Sequence, residues 1–395
     1  MALLLQAIIY IIEGGLSLIV GYLLFLTLAA CFAPRRTPLT GSTGTHRFAI
    51  LVPAHNEEQL LPGLLQNLQQ IDYPKTQYAV HVVADNCTDR TADLARAGGA
   101  TAHERFDTTQ VGKGYALEWL LARLQTSDYS YDAFVILDAD SIVSANFLTV
   151  MDARLSRGEK AIQAYYAVRD PASSWSASLR AAALAALHYL RPLARSIIGG
   201  SAGLKGNGMV FAAEILKRYR WTASLTEDIE YHMSLILDGQ RVTFAPDAIV
   251  WAEMPNSLAS SQTQNVRWER GRQEMVRTYV PRLLRVGVAR RSFLLFDAAI
   301  EQLIPPFAIV AALSVVCLTA AIILQSTIGI WVGIGLLVGQ ALYTLAGLVL
   351  ARVPLRVYQA LLYAPVFIGW KVWLYIRVLL GFERKGWVRT ARNDT

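Results

Sequence analysis

Cysteine is scarce in this chain. Its 395 residues include three, Cys31, Cys87 and Cys317. They lie far apart, with neither the close pairs of a thiolate metal site nor the even framework of a disulfide scaffold. Both are excluded, and the middle of the chain reads as a domain of a reducing compartment. Charge is scarce too. Asp, Glu, Lys and Arg make up 17% of the chain against 54% hydrophobic residues, and mean hydropathy is +0.34. That balance excludes an ordinary soluble protein. No internal repeat or low-complexity tract is visible, which leaves no basis for a repeat architecture. Basic residues are missing before the first apolar run, which argues against a signal peptide with its basic start.

What is present is unevenly spread. Residues 3–33, 303–325, 327–351 and 357–381 are almost wholly apolar. A helix of about 20 residues crosses a hydrocarbon layer of about 30 Å, and each run is long enough. Three units follow: an N-terminal membrane helix over 1–33, a water-facing domain over 34–290, and a membrane region with a short basic tail over 291–395. The net charge is +7, and much of the excess flanks the apolar runs, at Arg35, Arg36, Arg290, Arg291, Arg352, Arg356, Arg384 and Lys385. That is the signature of loops kept on the cytoplasmic side, not of a nucleic-acid surface. It places the middle domain in the cytoplasm and membrane lipids among its partners. The rival is cleavage at "LAAC", Leu28 to Cys31, which resembles a lipoprotein processing box. The run 357–381 carries Lys371 and Arg377, and its charges favour the interface, with a full crossing as the alternative.

The middle domain alternates strand and helix. "FAILVPAHNEE" is a buried strand stopped at Pro53, with Asn56 as the expected N-cap of a leucine-lined helix. "AVHVVADNCTDRTADLA" repeats the pattern. "GKGYALEWLLARL" is a glycine-rich loop opening a helix, and "DAFVILDADS" is another strand. This alternation predicts an α/β domain on a mostly parallel sheet. Ligands of such sheets sit at the carboxyl ends of the strands. Asp85, Asp138 and Asp140 all fall there, with Lys113 in a loop nearby in sequence. Two carboxylates one residue apart are costly without a positive partner. Mg2+ or Mn2+ fits such hard oxygens, and substrate phosphates would complete its shell. The implied ligand is a nucleotide diphosphate. Alone, "DAD" is a common pattern and more often only a solvated strand end.

The ordered set is more specific than its parts. "VPAHNEE", "VVADNCTD", "GKGYAL", "LDADS", "LTEDIE" and "QNVRW" follow one another over residues 46–275. The chain resembles the family-2 glycosyltransferases, and within them the membrane-embedded branch of cellulose, hyaluronan and chitooligosaccharide synthases. The resemblance implies a GT-A-type nucleotide-sugar domain inserted between transmembrane helices. It implies a UDP-sugar donor, a glycan or lipid acceptor, and inversion with Mg2+ or Mn2+. Residue by residue, Asp85 would meet the uracil or ribose, and Lys113 would help hold the nucleotide. Asp138 and Asp140 would meet metal and diphosphate. Asp228 would be the general base, with Glu227 beside it as a positioning or capping residue. Gln264, Arg267 and Trp268 would form the Gln-x-x-Arg-Trp motif, with Arg267 near the diphosphate and Trp268 near the acceptor. Single-sugar transfer to a lipid is the main alternative to polymer synthesis. A membrane nucleotidyltransferase and a silent export subunit are the remaining rivals.

Weaker signals complete the reading. The glycines of "GLKGNGMVF" allow close backbone approach to an acceptor or merely turn the chain. The stretch from Ser173 to Ile198, with Arg180, Arg191 and Arg195, is expected as an amphipathic helix on the membrane surface. His188 and His232 are expected to pack rather than bind a ligand, and His55 lacks partners for a zinc set. Trp387 and Arg389 are candidates for a gate.

Overall fold

The computed structural model describes residues 2–33, 44–125, 130–221, 226–253 and 262–380, without the side chains of Ala2, Thr263, Gln264 and Arg267. Arg35, Arg36, Trp387 and Arg389 lie outside the described residues, so the gate expected at the C-terminus does too.

The catalytic candidate is a single eight-stranded sheet. Its strands are β1 (Phe48–Ala54), β2 (Tyr78–Asp85), β3 (Thr101–Arg105), β4 (Ala133–Ile136), β5 (Ser141–Val143), β6 (Ala161–Val168), β7 (Met209–Ala212) and β8 (Thr243–Ala252). Their order is β3-β2-β1-β4-β7-β6-β8-β5. The first four are parallel, as the alternating pattern requires. β7 then runs antiparallel to β4 and β6, while β6 and β8 are parallel and β5 antiparallel to β8. Parallel pairings outnumber antiparallel ones by four to three, so the sheet is mixed.

Helices cover both faces. The helix Leu61–Leu68 buries all of Leu61, Leu64, Leu65 and Leu68, at about 1.5–3 kcal/mol each. It shares one core with Phe147, Leu148 and Met151. On the other face Leu117, Leu120 and Leu124 of the helix Lys113–Gln125 pack with Tyr231 and Leu235 of the helix Glu227–Leu237. Asn56 is not the N-cap expected. It sits at φ +55, and Leu60 precedes the helix. Its Oδ1 instead accepts from Thr88 N at 2.8 Å, tying the loop after β1 to the loop after β2.

Gly208 shows why one turn must be glycine. Its φ is +67, and a Cβ there would lie 2.7 Å from Val250 Cγ2 and 3.2 Å from Ala164 Cβ. Its N–H donates to Ile136 O at 3.0 Å, and its carbonyl accepts from Ala164 N at 2.9 Å. Gly208→Ala is expected to cost about 1–3 kcal/mol, through overpacking and backbone strain. Thermal unfolding of the purified protein checks this, and an unchanged midpoint contradicts it.

Among the described residues, Leu3–Cys31, Thr327–Ala351 and Leu355–Leu379 are long and apolar enough to cross a membrane. The expected run 303–325 is not one straight helix. Phe293–Leu303 and Phe307–Ile323 meet at a 65° bend. Pro305 and Pro306 sit at the break, where neither can donate a helical N–H. The three arginines expected on the membrane surface are interior instead: Arg180, Arg191 and Arg195 are 7%, 7% and 1% exposed. Their segment packs between the sheet and the helix Thr327–Ala351. Arg195 Nη2 donates to Asp297 Oδ2 at 2.6 Å, and Arg191 Nη2 lies 3.2 Å from Glu301 Oε2. Carboxylates from the bent helix make the burial of Arg191 and Arg195 possible.

Candidate active site

Three strands end at one place. Parallel pairing puts the carboxyl ends of β1, β2 and β4 on the same edge. A cavity of about 130 Å³ opens there, lined by Pro53, His55, Glu57, Asp85, Gly112 and Lys113 among others. His55 Nδ1 lies 2.7 Å from Asp85 O, which fixes the ring over the end of β2.

Asp85, the expected nucleotide contact, lines this cavity but is already engaged. Arg105 Nη1 donates to its Oδ1 at 2.6 Å, and both side chains are buried. Arg105 Nη2 also reaches Asp107 Oδ2 at 3.1 Å. The register sets Asp85 opposite Arg105 across β2 and β3. Arg105 was not recognisable from the sequence, because that register is not written in either strand alone. The pair fixes the carboxylate at the wall of the cavity.

Lys113 starts the next helix and answers the question of the paired acids. Its Nζ donates to Asp138 Oδ1 at 2.5 Å and to Gly206 O at 2.5 Å. Burial opposes its charge, but Asp138, Glu227 and Asp228 hold its pKa above the ordinary lysine value. Asp138 is one third exposed, so part of its side chain stays open to solvent. Its N–H donates to Asn207 Oδ1 at 3.2 Å, and Asn207 Nδ2 donates to Ser141 Oγ at 2.8 Å. Asn207 is thus a second residue missed, although it lies in the glycine-rich stretch singled out. Asp140 follows in the same turn and accepts from Ser141 Oγ at 3.5 Å. Burial, then Asp138 and Asp140, raise the Tyr166 hydroxyl well above its ordinary pKa, so both carboxylates act on one ring.

Glu227 and Asp228 open the helix Glu227–Leu237, where the helix dipole favours anions. A Cβ at Gly206 would lie 3.4 Å from Asp228 Oδ2 and 3.9 Å from Lys113 Nζ. Asp228, Lys113 and Asp138 therefore share one pocket wall. Burial raises the Asp228 carboxyl above its usual range, with Lys113 pulling the other way. Burial and then Asp228 push Glu227 up to about 7. The two acids titrate as a pair. Thr226, just before them, packs against the helix Gln262–Arg290: a Cβ at Gly271 would lie 2.1 Å from Thr226 Cγ2. Gln264, Arg267 and Trp268 all belong to that helix. Trp268 is 41% exposed, while the side chains of Gln264 and Arg267 lie outside the described structure.

The remaining candidates behave as packing residues. His188 stacks on Tyr166 with ring centroids 5.2 Å apart, and His232 Nε2 lies 2.8 Å from Ser201 Oγ. Lys205 sits among them, half-buried. Burial lowers its pKa to about 8, with Glu301 opposing and Arg191 assisting.

Asp138 and Asp140 supply hard oxygen donors suited to Mg2+ or Mn2+, but only two residues' worth. Among the described residues no group of three His, Cys, Asp or Glu gathers to hold a metal. The donor set fits a cation that takes the rest of its shell from a diphosphate.

Residues 46–271 match the model of the family described as glycosyltransferase like family 2. The chain is 23% identical over 232 residues to poly-β-1,6-N-acetyl-D-glucosamine synthase of Staphylococcus epidermidis, covering 58% of this chain and 55% of that one. It is 27% identical over 260 residues to β-monoglucosyldiacylglycerol synthase of Synechocystis, covering 60% and 51%. The chain spans about half the length of these curated relatives. Its fold is similar to a mannosyltransferase of Pyrobaculum calidifontis solved with GDP-Man and Mn2+, at 18% identity and a TM-score of 0.54, covering 88% of this chain and 99% of that one. Over more than half of its length the chain carries the family's domain, and it belongs to the family-2 glycosyltransferases.

Proposed function

We propose that the chain is a membrane-embedded inverting glycosyltransferase. It moves a sugar from a UDP-sugar to a hydroxyl of a glycan or lipid at the cytoplasmic membrane face. Residues 34–290 form the catalytic unit, with membrane segments in 1–33 and 291–395. The observation that carries this reading is the meeting of Lys113, Asp138 and Asp228 around Gly206.

The proposed roles fit where the described side chains stand. The cavity between β1 and β2 receives the nucleoside, and Asp85, held by Arg105, accepts from its hydroxyl or amide. Lys113 faces the diphosphate and offsets the charge that develops on the leaving UDP. Asp138 and Asp140 would hold Mg2+ or Mn2+, which supplies Lewis-acid stabilisation of that same charge. Asp228 takes the proton of the acceptor hydroxyl as it attacks the anomeric carbon opposite the leaving group. Its raised pKa makes it a stronger base than a surface aspartate. Arg267 would meet the diphosphate, the role the family resemblance implies, since a guanidinium fork suits two phosphoryl oxygens. Trp268, partly exposed, offers a flat face to a sugar ring.

Polysaccharide or oligosaccharide synthesis is the first reading. Single-sugar transfer to a lipid is the second, favoured by the likeness to a glucosyldiacylglycerol synthase. Product length on a gel separates them. UDP release by the purified protein, with a panel of UDP-sugars and Mg2+ or Mn2+, tests the reaction itself. Release with at least one donor is expected. No hydrolysis or transfer with any donor would sink the proposal.

The acid pair sets a pH dependence. The base must be unprotonated, and burial raises both carboxyls. Activity is therefore expected to fall as pH drops through a range above that of an ordinary aspartate. Glu227→Gln removes the neighbouring negative charge, so the acidic limb should move to lower pH. A limb that stays in place in the pH profile would deny the coupling.

A further inference from the structure

Arg180 and Lys371 are two cations that the proposed reaction does not use. Arg180 lies on the helix Trp175–Leu184 and is 7% exposed. Its Nε and Nη2 are buried and have no hydrogen-bond partner among the described residues. Burial lowers its pKa to about 10, with no carboxylate acting against that. A buried guanidinium ordinarily finds an acid, as Arg195 finds Asp297 one segment later.

Lys371 approaches from the helix Ala364–Leu379, close enough for its charge and that of Arg180 to interact. Its Nζ donates to Asn265 Oδ1, within "QNVRW". Glu269 also acts on Lys371, but its Oε2 already lies 3.4 Å from Arg272 Nε. Three helices thus converge where, among the described residues, two cations face the single carboxylate of Glu269.

The surroundings are apolar and aromatic. Val266, Trp370, Leu374 and Val378 pack together beside Lys371, and Lys371 Nζ sits 5.8 Å from the Trp370 ring. Trp175 tilts against Tyr363 with centroids 5.8 Å apart, and both rings are exposed. Exposed Leu362, Val366 and Ile376 continue along the same membrane-length helix. Aromatic rings beside exposed apolar chains mark a membrane–water boundary. A phosphoryl group satisfies both cations, and only a lipid brings one with tails for that apolar rim.

We propose that Arg180 and Lys371 bind the phosphate of an anionic membrane lipid beside the "QNVRW" helix. Neither cation is among the residues that line the proposed donor cavity, so the site stands or falls on binding rather than on transfer.

The full-length protein in mild detergent is titrated with phosphatidylglycerol, and bound lipid is counted by native mass spectrometry. Diacylglycerol, UDP and inorganic phosphate are the comparison ligands. Phosphatidylglycerol is expected to saturate a site that diacylglycerol does not fill. R180Q with K371Q should weaken it by about tenfold or more, and R180K with K371R should retain it. K371Q alone, at a partly exposed position, gives a weaker loss and serves if the double variant does not fold. Equal lipid binding by wild type and K371Q would overturn the proposal. So would complete displacement of the lipid by UDP or inorganic phosphate, which would assign the cations to the nucleotide.

Discussion

Asp228→Asn is expected to lower sugar transfer by about 10²–10⁴-fold while leaving donor affinity nearly unchanged. The amide has the carboxylate's shape but cannot accept the acceptor's proton. Its neighbours stay in place, because Lys113 is anchored by Asp138 and Gly206 rather than by Asp228. The loss should therefore fall on kcat, with the KM for donor close to wild type. Asp138→Asn should behave differently. It weakens the Lys113 contact and one of two carboxylate donors, so donor affinity should fall along with rate. Steady-state UDP release against donor concentration distinguishes the two patterns. An Asp228→Asn enzyme within tenfold of wild type would remove this residue from its proposed role.

Arg195→Ala is expected to destabilise the fold by about 3–5 kcal/mol, the ordinary consequence of orphaning a buried carboxylate. Arg195 and Asp297 are 1% and 2% exposed. Arg195 Nε donates to Asp297 Oδ2 at 3.0 Å, and Tyr22 OH of the N-terminal helix donates to Asp297 Oδ1 at 3.2 Å. Deleting the guanidinium leaves that acid, among the described residues, with the Tyr22 phenol as its hydrogen-bond donor. The damage should reach the site. A Cβ at Gly200 would lie 2.4 Å from Asp297 Oδ2, so the chain leading to Gly206 and Asn207 passes directly over this carboxylate. Thermal unfolding and UDP release, measured together, should both decline. Arg195→Met with Asp297→Leu should recover much of the stability, since an apolar pair of similar volume carries no desolvation penalty. A double variant no better than the single would contradict the electrostatic account.

The acids of the site were legible because strand ends can be read from hydrophobic runs. Asp85 closes β2, and Asp138 stands just beyond β4. Their partners were not. Arg105 meets Asp85 only through the register of β2 with β3, and Arg195 meets Asp297 across 102 residues. Charged residues in an apolar helix look amphipathic until their counter-ions are known, so the three arginines read as a membrane face. The break at Pro305 and Pro306 was written in the sequence, yet hydropathy alone bridged it. Asn56 matched a cap by composition but took up a left-handed turn that asparagine also favours. The antiparallel β7 followed from no local pattern, because a strand's direction is fixed by its connections and not by its residues.

The account depends most on Asp138 and Asp140 meeting the donor's diphosphate on the face that holds Asp228. A crystal or cryo-EM structure of the purified protein with UDP and Mn2+ tests that directly. Expected is an Mn2+ ion in contact with at least one of the two carboxylates, bridging to both phosphoryl groups, with the base lodged in the cavity beside Asp85. Nucleotide bound away from this cavity, or Mn2+ ligated only by other residues, would contradict it.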